Sequence, residues 1–430
     1  MSPPTSPATA APRSPGRGWP QAVGAVLAGL LAMAVVAGLG LWAAGATDLP
    51  DNAFPRVVTA TMVASVGGVV NGSGEAGGLV DTEASLTVIP LSVTLTGALV
   101  IGWGFLRPLR HRTRAEPGVA AVWAARLGAL WLIALIGLSL AARQTFDVPL
   151  EEAGPADLAD FFGIEPTVGF AADVPLSVLF GLLWLAGVLV LALLVSRRAP
   201  LPASLARLET TVRPVAYAMV ALLLACVAIG VVIGLVVAGT RGHPTRTLAV
   251  LLLGLPNVVW PALTIGMGAA WDGHVDGPFA LPLPHILDEA LRGPGTSTLD
   301  LGTLAQQDGR AWWLLVVTAV LLPAAGAVTA ARTPGRPSAW RNAVRMAVAL
   351  FLTVLMICLM GRISADYGLS VWGIGDLEGA LSGDVFLSPR VWRALGLAVA
   401  WGLVAGFVGA LLVRARPRRS RDGIAEGRPD

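Results

Sequence analysis

Apolar residues in this chain fall in long runs separated by polar stretches, the pattern of a polypeptide that crosses a bilayer repeatedly. A spanning helix needs about 20 apolar residues to cross roughly 30 Å of hydrocarbon. Eight runs reach or approach that length: 20–44, 86–106, 119–142, 174–195, 214–239, 311–331, 344–361 and 391–413. Each is predicted to be a membrane-spanning helix. The first follows Arg13 and Arg17, but its apolar region is far longer than the roughly 7–15 residues of a signal core, so it is expected to stay as an anchor.

Two further apolar stretches break this pattern. Residues 57–70 are too few to cross, about 21 Å as a helix. Residues 247–271 are numerous enough but carry Gly254-Leu-Pro256-Asn257 and Trp260-Pro261. Proline removes a backbone donor and clashes with the preceding turn, so a broken helix is expected there. Both stretches are predicted to be re-entrant or interfacial, entering from the outer side and returning to it.

Arginine decides between that path and a crossing. If only the eight runs span, the tail before the first, residues 107–117, 196–213, 332–345 and the last tail share one side. That side holds 20 arginines and five acids; the other holds nine arginines and 22 acids, with Arg126 at a boundary. The positive-inside rule makes the arginine-rich side cytoplasmic, with both termini on it. A crossing at 247–271 would carry Arg332, Arg336, Arg341 and Arg345 outside, and one at 57–70 would do the same to Arg107, Arg110, Arg112 and Arg114.

The runs also repeat. Each half has one helix, then an odd apolar stretch on the outer side, then three helices. Trp123, Arg126 and Arg143 are echoed by Trp340, Arg345 and Arg362; Asp173-Val-Pro-Leu-Ser177 by Asp384-Val-Phe-Leu-Ser388; and Arg197-Arg-Ala-Pro200 by Arg414-Ala-Arg-Pro417. An even number of spans per unit makes the copies parallel, related by an axis along the membrane normal. The expected fold is an all-α integral membrane protein of eight transmembrane helices in two parallel four-helix repeats, each with a dipping segment after its first helix. The division is a tail at 1–18, units at 19–213 and 214–413, the second with an outer insertion at 272–310, and a basic tail at 414–430. On this alignment Arg126 matches Arg345 at a helix entrance and is expected to snorkel at the interface.

Composition agrees. Apolar residues make up 55% of the chain and charged ones 13%, about half the roughly 25% usual in soluble proteins. Every basic residue is arginine, and the net charge of +3 with no basic stripe leaves nucleic-acid binding without its electrostatic footprint. Cys226 and Cys358 lie inside apolar runs and read as small buried hydrophobes.

Candidate chemistry is sparse. Asp272, His274 and Asp276, with His285, Asp288 and Glu289 beyond, are the one cluster of metal-ligand types, and an extracytoplasmic metal-dependent hydrolase is the weakest reading they allow. No spaced ligand motif accompanies them, and no cofactor is implied. The glycine-rich stretch from Gly67 to Gly78 lacks the Gly-Lys-Ser/Thr ending of a phosphate loop and reads as a flexible return. Interrupted segments at matching places in two repeats point to a transporter site. A pocket of Asn257, Thr264, Thr59 and Thr61 would suit a neutral or weakly polar solute, since no fixed charge is there to compensate an ion. The spans carry no acid to couple such transport, and Asn257 reads more readily as a helix cap, with its segment packed passively against its neighbours.

The lysine-free, eight-helix pattern resembles the streptophobe family of very hydrophobic multi-pass actinobacterial membrane proteins. Ile89-Pro-Leu-Ser-Val-Thr-Leu-Thr-Gly-Ala-Leu99, Phe105-Leu-Arg-Pro-Leu-Arg110 and Leu252-Leu-Gly-Leu-Pro-Asn257 carry the resemblance. It implies a bacterial plasma-membrane location and supplies no catalytic residue. The leading expectation is therefore a non-enzymatic membrane component acting through partners or lipids, with the bilayer as its surroundings and the solute transporter as the alternative.

Overall fold

Every long apolar run becomes a helix because a backbone in hydrocarbon must satisfy its own hydrogen bonds. The computed structural model describes residues 18–49, 53–76, 80–109, 117–147, 167–196, 206–240, 242, 244–275, 296–334, 338–371 and 383–415. Within them the helices are α1 (Trp19–Ala43), α2 (Phe54–Ser65), α3 (Leu91–Leu109), α4 (Pro117–Ala141), α5 (Val174–Val195), α6 (Ala206–Thr240), α7 (Pro244–Gly266), the short α8 (Leu301–Gln307), α9 (Trp313–Arg332), α10 (Ala339–Met360) and α11 (Val391–Ala415). Nine of these, all but α2 and α8, are long and apolar enough to cross a membrane, and the architecture is that of a multi-pass helical membrane protein. Leu31, Ile133, Leu183 and Val232 lie exposed along α1, α4, α5 and α6, as lipid-facing positions do. Exposed tryptophans cluster near helix ends: Trp42, Trp312, Trp313 and Trp392 at one level, Trp19, Trp103 and Trp340 at the other. Two such aromatic belts mark the two membrane–water interfaces.

The connections at one end of the helices are not plain loops. Eight strands, β1 (Val70–Ala76), β2 (Val80–Thr87), β3 (Arg143–Asp147), β4 (Thr167–Ala172), β5 (Trp271–Val275), β6 (Ser297–Leu299), β7 (Ile363–Val371) and β8 (Gly383–Pro389), form one antiparallel sheet in the order β3-β4-β1-β2-β7-β8-β5-β6. The stretch expected to be a flexible glycine-rich return instead supplies β1, in which Asn71 lies opposite Ser85 on one side and Ala171 on the other. Pairing satisfies its backbone, which no side chain of a glycine-rich segment could do. Each strand joins a helix end, so α2, α4, α7 and α10 finish at the sheet while α3, α5, α9 and α11 start from it.

Helix packing differs between the halves. In the first, bulky side chains fill the seams: Trp131 is buried against Trp184, its indole donating to the Gly181 carbonyl at 3.1 Å. In the second, small residues bring backbones together. A Cβ on Gly406 would lie 2.6 Å from Ala343 Cα, and one on Gly402 2.5 Å from Ala347 Cα, so α10 and α11 pack at the closeness that small residues permit in membranes. The unit boundary expected between 213 and 214 falls inside α6, because Pro214 is accommodated within that helix rather than ending it.

Candidate functional site

The site singled out by sequence is the interrupted segment around Asn257. It forms α7, a single helix only in outline: Gly254, at φ −134° and ψ 16°, is not helical. Pro256 follows two residues later, where its missing N–H costs nothing at the first turn of a new helix. The broken place is held from the other half of the chain. Ser92, in the first turn of α3, donates its hydroxyl to the Leu251 carbonyl at 3.0 Å and accepts from the Leu255 amide at 3.1 Å. Asn257 Nδ2 donates to the Ile89 carbonyl at 2.9 Å, and its Oδ1 accepts from the Leu91 amide at 3.1 Å. Near the end of α1, Gly40 leaves the room that Leu252 and Leu253 occupy.

The other three proposed pocket residues serve nearby backbone too. Thr59 donates to the Pro55 and Arg56 carbonyls and Thr61 to Val57, all inside α2. Thr264 is fully buried, donates to the Pro261 carbonyl at 2.7 Å and accepts from the Trp271 indole at 2.9 Å. Among the described residues no hydrogen bond joins any two of Asn257, Thr264, Thr59 and Thr61. Threonine in a helix commonly bonds back to the carbonyl four residues before it, and the sequence could not show that these hydroxyls were spent that way.

α2 and α7 end alike. After α2 the Gly67 amide donates to Ala64 and the Gly68 amide to Val63; after α7 the Gly268 amide donates to Ile265 and the Ala269 amide to Thr264. Both turns are Schellman motifs, and both put a glycine at positive φ, Gly67 at 88° and Gly268 at 94°. A Cβ at either would strain the turn that launches β1 or β5.

The metal candidates resolve differently. Asp272 lies on β5, where Arg390, just before α11, forms an ion pair with it at 2.9 Å and Thr298 donates to it at 3.1 Å. The Arg390 hydrogen bond holds the Asp272 carboxyl below its usual range, against the opposing effect of partial burial. His274 packs on Phe386, ring centroids 6.2 Å apart. Asp276, His285, Asp288 and Glu289 lie outside the described residues. Among the described residues no three His, Cys, Asp or Glu side chains gather as a metal-binding group.

Arg126 stacks on Trp19, with Cζ 5.6 Å from the ring centroid, at the end of α1 away from the sheet. Arg345 reaches Thr211 early in α6. Comparison with known proteins adds no relative: no protein-family model, no curated protein and no solved structure matches the chain.

Proposed function

We propose that the chain is a non-enzymatic plasma-membrane component, built from two parallel copies of one unit, that works through the sheet it holds on its outer side. The order of that sheet is the observation that carries the reading. Its first four strands run β3-β4-β1-β2 and its last four β7-β8-β5-β6, the same order when the third and fourth strands of each unit are matched. Val70 faces Ala172 as Trp271 faces Pro389, and the Asp173 amide bonds Val69 as the Arg390 amide bonds Ala270. Buried rows match as well: Leu127, Trp131, Leu135 and Ser139 of α4 correspond to Met346, Leu350, Val354 and Cys358 of α10. Phe54-Pro-Arg-Val-Val58 opens α2, and Leu255-Pro-Asn-Val-Val259 opens the second part of α7. One of the echoes read from sequence falls away: Asp173 caps α5, whereas Asp384 lies inside β8 opposite Asp366, and the residue in the capping place before α11 is Arg390.

Strand parity supports a dipping α7. α6 starts at the end away from the sheet, where Tyr217 meets Arg332, and runs 35 residues to the sheet side. α7 then starts on that side and also finishes there, at β5. Its first part meets the opening turn of α3 through Ser92, and Gly266 at its end lies against Leu314 in the opening turn of α9. The 12-residue α2 repeats the arrangement after α1, which is antiparallel to α3 through Met33 beside Gly97 and Ala25 beside Gly104. With the connections opposite the sheet rich in arginine, that face is cytoplasmic and the sheet extracytoplasmic. The segments around Ile89 and around Leu252, two of the three that carry the resemblance to the streptophobe family, are clamped together by Ser92 and Asn257.

The strand registers set Glu75 opposite Asp81 and Asp366 opposite Asp384, so acids stand at paired positions of neighbouring strands. A sheet carrying paired acids recruits a partner of opposite charge and makes the association salt-dependent. The test is in-membrane crosslinking of the wild type and of an Asp81→Lys, Glu83→Lys variant. A crosslinked species lost in the variant and at high salt supports the reading. Identical crosslinking in both, or none at any salt, ends it.

A further inference from the structure

Between α1 and α3, at their ends away from the sheet, lies an open groove of about 470 Å³. Its walls are Gln21, Gly24 and Ala28 on α1 and Val100, Trp103 and Arg107 on α3. The floor is narrow because the helices touch: a Cβ on Gly104 would come within 2.8 Å of Ala25 Cβ. Gly24 borders open space, with nothing within 4 Å of a Cβ built there. Trp103 is 54% exposed and belongs to the aromatic belt on this side; one turn further out, the Arg107 guanidinium lies 5.3 Å from its ring centroid. Among the described residues no carboxylate pairs with Arg107, and Arg110, Arg112 and Arg114 follow it in sequence.

We propose that this groove seats one anionic phospholipid, with the phosphate held by Arg107 and Gln21 and one acyl chain lying along Gly24 and Ala28. The proposal depends on the protein being membrane-embedded and not on the sheet. The groove is polar only at the end where the belt places the headgroup level, and apolar and smooth from there inward, the profile of a lipid molecule. Its one charge is positive and delocalised, matched in geometry to a phosphate. A second copy of the chain would bring another Arg107 into the same layer, against its own charge. The second unit supplies a comparison. Between α6 and α9, at their ends away from the sheet, the arginine ending α9 is instead covered by an aromatic ring: Tyr217 lies over Arg332, 3.2 Å from Cζ to ring centroid.

Native mass spectrometry of the protein delipidated in detergent tests this, with phosphatidylglycerol, phosphatidylcholine and inorganic phosphate as probes. The expected result is one phosphatidylglycerol bound at least tenfold more tightly than phosphatidylcholine, with inorganic phosphate failing to compete. Arg107→Gln and Gly24→Leu should each weaken it tenfold or more; the second variant fills the groove at a position where the fold has room, and an unchanged melting temperature without lipid shows that both remain folded. Equal binding of the two lipids, full competition by inorganic phosphate, or wild-type affinity in both variants overturns the proposal. So does a lipid-free dimer that Gly24→Leu dissociates, since a second copy would then be the occupant.

Discussion

The Ser92 hydroxyl accepts the Leu255 amide hydrogen at 3.1 Å while donating to the Leu251 carbonyl at 3.0 Å, standing between two groups that an unbroken helix pairs directly. Insertion of a side chain into the helical ladder is a recognised cause of a kink. Here the inserting residue belongs to the other half of the chain, so the break in α7 is also a joint between halves. Removing the hydroxyl leaves two part-buried backbone groups short of a partner. Ser92→Ala should therefore cost about 1–3 kcal/mol. Thermal unfolding in detergent reads this as a lower melting temperature.

Asn257→Leu extends the test. It strips partners from the Ile89 carbonyl and the Leu91 amide together, so its loss should equal or exceed that of Ser92→Ala. The two changes act on one junction and should be less than additive when combined. A solute that raises the wild-type melting temperature, and fails to do so in a folded Asn257→Leu protein, would instead favour the transporter reading. Full additivity with no solute effect would mean the two residues hold separate contacts.

The long apolar helices were legible because a bilayer demands length and apolarity, which are local properties. The sheet was legible in principle but passed over: Ile363-Ser-Ala-Asp-Tyr-Gly-Leu-Ser-Val371 alternates as a strand should, yet its partners β2 and β8 come from distant loops and no local signal names them. The polar pocket was unreadable for another reason. Whether a threonine hydroxyl faces a solute or its own helix depends on a rotamer, and Thr59 and Thr61 chose the helix.

Asp272 and Arg390 tie β5 to the start of α11, and their contribution depends on pH. The folded carboxyl titrates below its unfolded value, so the stabilisation is present above the ordinary aspartate range, near pH 4, and is lost as pH falls through the lowered folded value. Asp272→Asn should thus lower the melting temperature at pH 7, and the gap from wild type should close on acidification. A gap independent of pH would mean that the carboxylate charge plays no part. Added zinc should leave both proteins unshifted if the ion pair, rather than a metal, occupies Asp272.

Close packing in the second unit makes two glycines of α11 respond in opposite directions. A Cβ on Gly406 would meet backbone of α10, whereas one on Gly396 meets nothing within 4 Å. Gly406→Ala should destabilise by about 1–3 kcal/mol through overpacking. Gly396→Ala should stabilise by up to about 1 kcal/mol through helix propensity alone. Melting temperatures that move the same way for both would contradict the packing of α10 on α11.

The path of α7 can be read from outside the cell. If α7 dips and returns, Thr245 in its first turn and Thr296 after it lie on the same face. Both positions are described, and Thr245 is exposed. The native Cys226 and Cys358 are buried in helices and should give little background with a charged maleimide. Thr245→Cys and Thr296→Cys should both label in intact cells, and a reporter fused after residue 290 should read as outside while one after residue 338 reads as cytoplasmic. Labelling of Thr296→Cys but not Thr245→Cys would mean that α7 crosses. α6 would then have to begin and end on the cytoplasmic side, against the 30-residue apolar span within it. That outcome would break the correspondence between α7 and α2, and with it the argument that the two units are copies.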